Sequence, residues 1–203
     1  MRNLFNTLFA VAAIAITISS CKKDNQTASP SDKLSLSKEV ATVTPVTSDT
    51  IYGHWANPRG GNFGSIYVNL TSATLDTAST TNPRFDIVLN NFNNSFVQGV
   101  NGYTVEYIND PLVNFSTIGT TTTGITQLSI GQSTTGAGPT PSANGWYTYA
   151  PPGGITLVPD FYIIARSNTP SKPSYALKFT YAIGQGTATL NRGKYIIQYG
   201  PIL

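Results

Sequence analysis

Apolar positions along this chain fall into short runs with a period of two, each closed by glycine, proline or asparagine. In 65–70, Ile66, Val68 and Leu70 share a face, and in 103–107 Tyr103, Val105 and Tyr107 do the same. Residues 175–181 alternate most cleanly, which puts Tyr175, Leu177, Phe179 and Tyr181 inward and Lys178 and Thr180 outward. In 194–199, Tyr195, Ile197 and Tyr199 form one face. Further β-rich runs occupy 85–89, 125–130 and 146–149. The 161–166 run is almost continuously apolar, as expected of a strand covered on both faces. A first edge strand is expected within 38–46. No stretch carries a capped helical stripe, and the weak exception at 72–81 is dominated by Ser and Thr. Residues 120–124 and 131–144 read as low-complexity loops, and Gly184-Gln185-Gly186 as a hairpin turn. The pattern predicts an all-β fold: a single antiparallel β-rich domain, built as a sandwich or a related multi-sheet arrangement.

The first residues carry a different pattern. Arg2 is followed by an apolar run from Leu4 to Ile18, the length of a signal-peptide core and short of the roughly 20 residues a membrane span needs. It ends in Ile18-Ser19-Ser20-Cys21, which looks like a bacterial lipobox. Cys21 is the one cysteine in the chain and the expected lipidation site. The expected organisation is a lipoprotein signal peptide over 1–20, an acylated N-terminus and flexible tether over 21–40, and the β domain over 41–203. Two or more acyl chains, at ~0.8 kcal/mol per buried CH₂, would hold the protein on a membrane. Lys22-Lys23-Asp24 directly after the cysteine resembles the start of outer-membrane lipoproteins of Bacteroidetes-type bacteria. The expected location is therefore the outer membrane, with the domain facing the exterior.

Composition removes most chemistry. Twelve Lys and Arg against nine Asp and Glu give a formal charge of +3, and the cations form no basic stripe, so no nucleic-acid partner is expected. One Cys and one His cannot make a zinc site, and Asp76, Asp86, Asp110 and Asp160 are isolated, so no metal site is expected. Acid–base catalysis has only His54 to draw on, with no Gly-x-Ser-x-Gly elbow, and the chain reads as a non-enzyme. Aromatic residues are the richer signal, with eleven Tyr, nine Phe and two Trp. Trp146, Tyr147 and Tyr149 cluster beside the Pro151-Pro152-Gly153-Gly154 loop. Such a cluster suits a pocket for a flat apolar ligand, and equally the core of a β-sandwich.

Five runs fall in a recognisable order: Phe85-Asp86-Ile87-Val88-Leu89, Trp146-Tyr147-Thr148-Tyr149, Pro159 to Arg166, Tyr175 to Tyr181, and Gly193 to Tyr199. In order and spacing they resemble the HmuY-like family of haem-binding outer-membrane lipoproteins. The resemblance implies capture of haem, or a related tetrapyrrole, for a TonB-dependent outer-membrane receptor. It implies axial His or Met ligands too, and neither residue occurs after His54; Phe85 also replaces the family's Trp. Haem as a ligand would then rely on tyrosinate from Tyr149, Tyr147 or Tyr103, or on apolar burial beside Trp146 with Arg166 or Lys172 on a propionate. The competing expectation is a surface structural or adhesion lipoprotein that binds no haem.

Overall fold

Twelve strands and a single three-residue 3-10 turn make up the regular structure of the described residues. The computed structural model describes residues 46–53, 64–72, 74–76, 84–135, 143–150, 154–186 and 191–203. Cys21, the expected leader and tether, and His54 lie outside them, as does most of the expected 38–46 strand.

The strands are β1 (Thr47–Tyr52), β2 (Ile66–Asn69), β3 (Thr74–Asp76), β4 (Ile87–Asn90), β5 (Phe96–Gly99) and β6 (Tyr103–Asn109). They continue with β7 (Ile125–Gln127), β8 (Tyr147–Ala150), β9 (Gly154–Leu157), β10 (Phe161–Ser167), β11 (Ser174–Gly186) and β12 (Asn191–Ile202). A six-stranded sheet runs in the order β1-β12-β11-β10-β6-β7. A four-stranded sheet runs β3-β2-β4-β5, and β8-β9 forms a separate hairpin. Every strand pairing is antiparallel. The expected all-β, antiparallel multi-sheet fold is therefore what the chain adopts, and no helix among the described residues is long and apolar enough to cross a membrane.

The period-two pattern explains the core. Ile66, Val68, Ile87 and Leu89 of the smaller sheet meet Val105, Ile163, Leu177, Phe179, Tyr195 and Ile197 of the larger one in a single apolar cluster, which also takes in Trp146 and Tyr147. Each large side chain so buried contributes roughly 1.5–3 kcal/mol. The opposite face of β10 is covered as well. Tyr162 and Ile164 pack with Ile118, Ala176 and Ile202, and Val113 and Phe115 from the loop after β6 close over them. This is why 161–165 is buried at every position, as its unbroken apolar sequence requires.

Two features depart from the sequence pattern. The register between β11 and β12 shifts after Phe179: Phe179 opposes Ile197, whereas Tyr181 opposes Ile196, leaving Thr180 as the extra residue of a β-bulge. Side chains beyond the bulge change face. Tyr181 is 41% exposed rather than in the core, and Ala182 takes the inward position. Likewise, Gly184-Gln185-Gly186 is no turn. These residues stay in β11 and pair with Asn191–Gly193, so the connection falls at 187–190, outside the described residues.

Candidate functional site

The site is organised around the short segment between β4 and β5. Asn90-Asn91-Phe92-Asn93-Asn94 folds into a 3-10 turn over Phe92–Asn94, with Asn91, Asn93 and Asn94 at φ 61°, 52° and 56°. Asparagine tolerates the left-handed region better than other residues with a side chain, so its repetition is the local cause of the turn. The Asn91 side chain accepts a hydrogen bond from the Phe92 N–H at 2.9 Å, and Ser95 N–H closes the turn onto the Phe92 carbonyl at 3.1 Å.

Three aromatic side chains distant in sequence pin this turn through their polar tips. The Tyr195 hydroxyl donates to the Asn93 carbonyl at 2.9 Å. The Trp146 indole N–H donates to the Ser95 carbonyl at 2.8 Å, and the Tyr147 hydroxyl shares a 2.7 Å hydrogen bond with Ser95 Oγ. Their rings pack on one another. Trp146, 2% exposed, stacks on Phe179 with centroids 3.9 Å apart, and Tyr195 stands edge-on to both. Burial raises the Tyr147 and Tyr195 hydroxyls above the ordinary tyrosine pKa, in Tyr195 with a further contribution from Tyr147. Both stay protonated and act as hydrogen-bonding groups.

Beside these rings lies a cleft of about 500 Å³, within the range of small-molecule pockets. Phe92, Asn93 and Ser95 of the turn form one wall. Tyr147, Tyr149, Gly154 and Ile155 of the β8-β9 hairpin form a second, and 181–184 of β11 a third, with Tyr195 beneath. Phe92 and Tyr149, 40% and 42% exposed, place their rings 6.4 Å apart. Glycine keeps the walls bare. Gly154 sits at φ 87°, and a Cβ at either Gly154 or Gly184 would meet nothing within 4 Å. Asn93 is 6% exposed, and its Oδ1 is buried without a hydrogen-bond partner among the described residues. No charged side chain lines the cleft among the described residues.

The six sequence-derived candidates separate into three places. Tyr147 and Tyr149 line the cleft, and Trp146 packs directly behind it. Tyr103 lies elsewhere, donating its hydroxyl to the Pro173 carbonyl at 2.9 Å, with Lys172 Nζ 5.6 Å from its ring centroid. Burial and the neighbouring Asp86 raise Tyr103 above the ordinary tyrosine pKa. Arg166 projects to the opposite face of the large sheet. It binds Glu106 through two nitrogens, at 3.3 and 3.1 Å, and the Thr122 carbonyl at 2.6 Å, so it is a strut between β10, β6 and the loop before β7. Sequence reasoning missed Asn93, Ser95, Tyr195 and the β11 wall. The asparagine-rich stretch was the available signal for the turn, whereas nothing local marks Tyr195 as its clamp.

The arrangement is an aromatic-walled cleft with hydrogen-bonded tyrosine hydroxyls along it. Among the described residues, no three His, Cys, Asp or Glu side chains converge to hold a metal ion. No family model, no curated protein and no solved structure matches this chain.

Proposed function

We propose that the protein is a non-catalytic binding module, anchored to the outer membrane through acylated Cys21 and facing the exterior. It holds a flat tetrapyrrole-class ligand, haem in the first instance, for a TonB-dependent receptor. One observation carries this reading: a cleft of about 500 Å³, walled by Phe92, Tyr147 and Tyr149, lies directly against Trp146. Aromatic walls with few polar groups favour flat apolar ligands. The lipobox and the HmuY-like order of motifs supply the membrane and haem parts of the reading.

The chain's own residues limit how haem would sit. With no charged side chain lining the described cleft, the propionates face water while the macrocycle edge enters between the rings. Iron ligation, where it occurs, falls to Tyr149. That ring is exposed at the cleft, whereas the Tyr147 and Tyr195 hydroxyls are committed to the turn. Titration of the purified protein with ferric haemin tests the reading. A saturable, shifted Soret band at one equivalent supports capture, with Tyr149→Phe altering the ferric spectrum if tyrosinate is the ligand. A spectrum equal to free haemin at every ratio leaves the structural or adhesion lipoprotein instead.

A further inference from the structure

One residue of the cleft lining carries a buried polar atom that the fold leaves unused among the described residues. Asn93 lines the wall, is more than nine-tenths buried, and its Oδ1 accepts no hydrogen bond among the described residues. A buried acceptor left unpaired is costly, and native structures rarely keep one without a use. The backbone around it cannot relax. The Asn93 carbonyl is taken by Tyr195, and a Cβ on Gly53 would collide with that same carbonyl oxygen, so the turn is held tightly from below. The carboxamide torsion of asparagine is broad and soft, so the oxygen can turn toward a donor at the wall while the backbone stays fixed.

We propose that Asn93 is the polar anchor of the cleft, accepting a hydrogen bond from an N–H or O–H group on the buried edge of an uncharged flat ring. This rests on the cleft being the ligand site and deepens that reading. It specifies a ligand whose inserted edge carries a donor, as the terminal lactam N–H of an open-chain tetrapyrrole does; the N–H groups of a closed porphyrin lie at its centre and haem has none, so within the tetrapyrrole class the anchor favours an open-chain member. The absence of charge in the described lining selects against an inserted carboxylate or ammonium, which would be desolvated with no partner. A site offering an unpaired acceptor discriminates against an isostere lacking the donor, because that isostere leaves the acceptor buried and unmet.

The test uses 2-naphthol and naphthalene, flat rings that differ by one hydroxyl, titrated into the intact protein and followed by fluorescence. The wild type is expected to bind 2-naphthol at least tenfold more tightly. Asn93→Gly removes the carboxamide at a backbone angle glycine adopts freely, and is expected to bring the two probes within threefold of each other. Equal wild-type affinities for the two probes, or a tenfold preference surviving in Asn93→Gly, overturn the role of Asn93 while leaving the cleft as a ligand site. Failure of both probes and of haemin to bind overturns the cleft reading and this inference together.

Discussion

Tyr195 and Asn93 lie 102 positions apart in sequence and are joined by a 2.9 Å hydrogen bond from the tyrosine hydroxyl to the asparagine carbonyl. That bond fixes the wall of the cleft to β12 of the large sheet. Tyr195→Phe keeps the ring contacts with Trp146 and Phe179 and removes only the donor. The Asn93 carbonyl is then buried without its partner, a loss of about 1–3 kcal/mol. Urea unfolding should show a lower midpoint with an unchanged slope.

Two glycines leave room for this clamp. A Cβ at Gly193 would overlap the Tyr195 ring, and a Cβ at Gly53 would overlap the Asn93 carbonyl oxygen. Gly193→Ala is expected to displace the ring and destabilise by roughly 1–3 kcal/mol, as overpacked cores do. Gly53→Ala should cost at least as much, because the group it meets is backbone and cannot rotate aside. Thermal unfolding of the two variants, compared with an exposed glycine substitution such as Gly184→Ala, checks both.

Gly184 offers the converse experiment. It lines the cleft, its backbone is extended strand, and a side chain there meets open space. Gly184→Leu is expected to leave stability within about 0.5 kcal/mol, in the manner of surface substitutions, while weakening haemin binding at least tenfold. Normal binding by a folded Gly184→Leu protein would move the ligand site elsewhere.

Asp86 supplies a pH dependence unrelated to the cleft. Burial pushes its carboxyl above the ordinary 3.8, against the lowering effects of the Leu70 N–H, Lys172 and Tyr103. A carboxyl with a raised folded pKa holds its proton longer in the native state than in the unfolded chain. Stability from this group is therefore highest below the unfolded pKa near 3.8 and declines as pH rises through the folded value. Asp86→Asn keeps an acceptor for the Leu70 N–H, at 2.8 Å in the parent, and removes the buried charge. Unfolding free energies measured from pH 4 to 8 should fall less steeply in Asp86→Asn than in the wild type.

Arg166 is expected to matter for stability and not for ligand. Its two bonds to Glu106 and one to the Thr122 carbonyl are partly buried, and bonds of this charged kind contribute about 1.5–3 kcal/mol. Arg166→Ala should lower the unfolding midpoint and leave the haemin titration unchanged.

What the sequence made legible follows from where the determining contacts lie. β6, β10 and β12 were readable because their own side chains carry the alternation or the unbroken apolar run that burial demands. β5 was hidden behind the asparagines of the turn, β3 within a Ser/Thr stretch, and β9 within a Pro/Gly loop. Tyr181 misled because one extra residue, Thr180, reverses the faces of everything after it, and a bulge leaves no mark in hydrophobic periodicity. Trp146, Tyr147 and Tyr149 could be placed together because they adjoin in sequence. Tyr103, Arg166 and Lys172 could not be separated from them, since their hydrogen-bond partners Pro173 and Glu106 and the neighbouring Asp86 are set by strand pairing alone.

Hydrogen–deuterium exchange with and without protoporphyrin IX tests most directly whether the cleft against Trp146 is a ligand site. Slowed exchange is expected in four stretches, 92–95, 147–150, 154–157 and 181–184, with the β6, β7 and β10 amides unchanged. Protection centred on Tyr103 and Lys172, or no protection at a saturating ligand concentration, would contradict it.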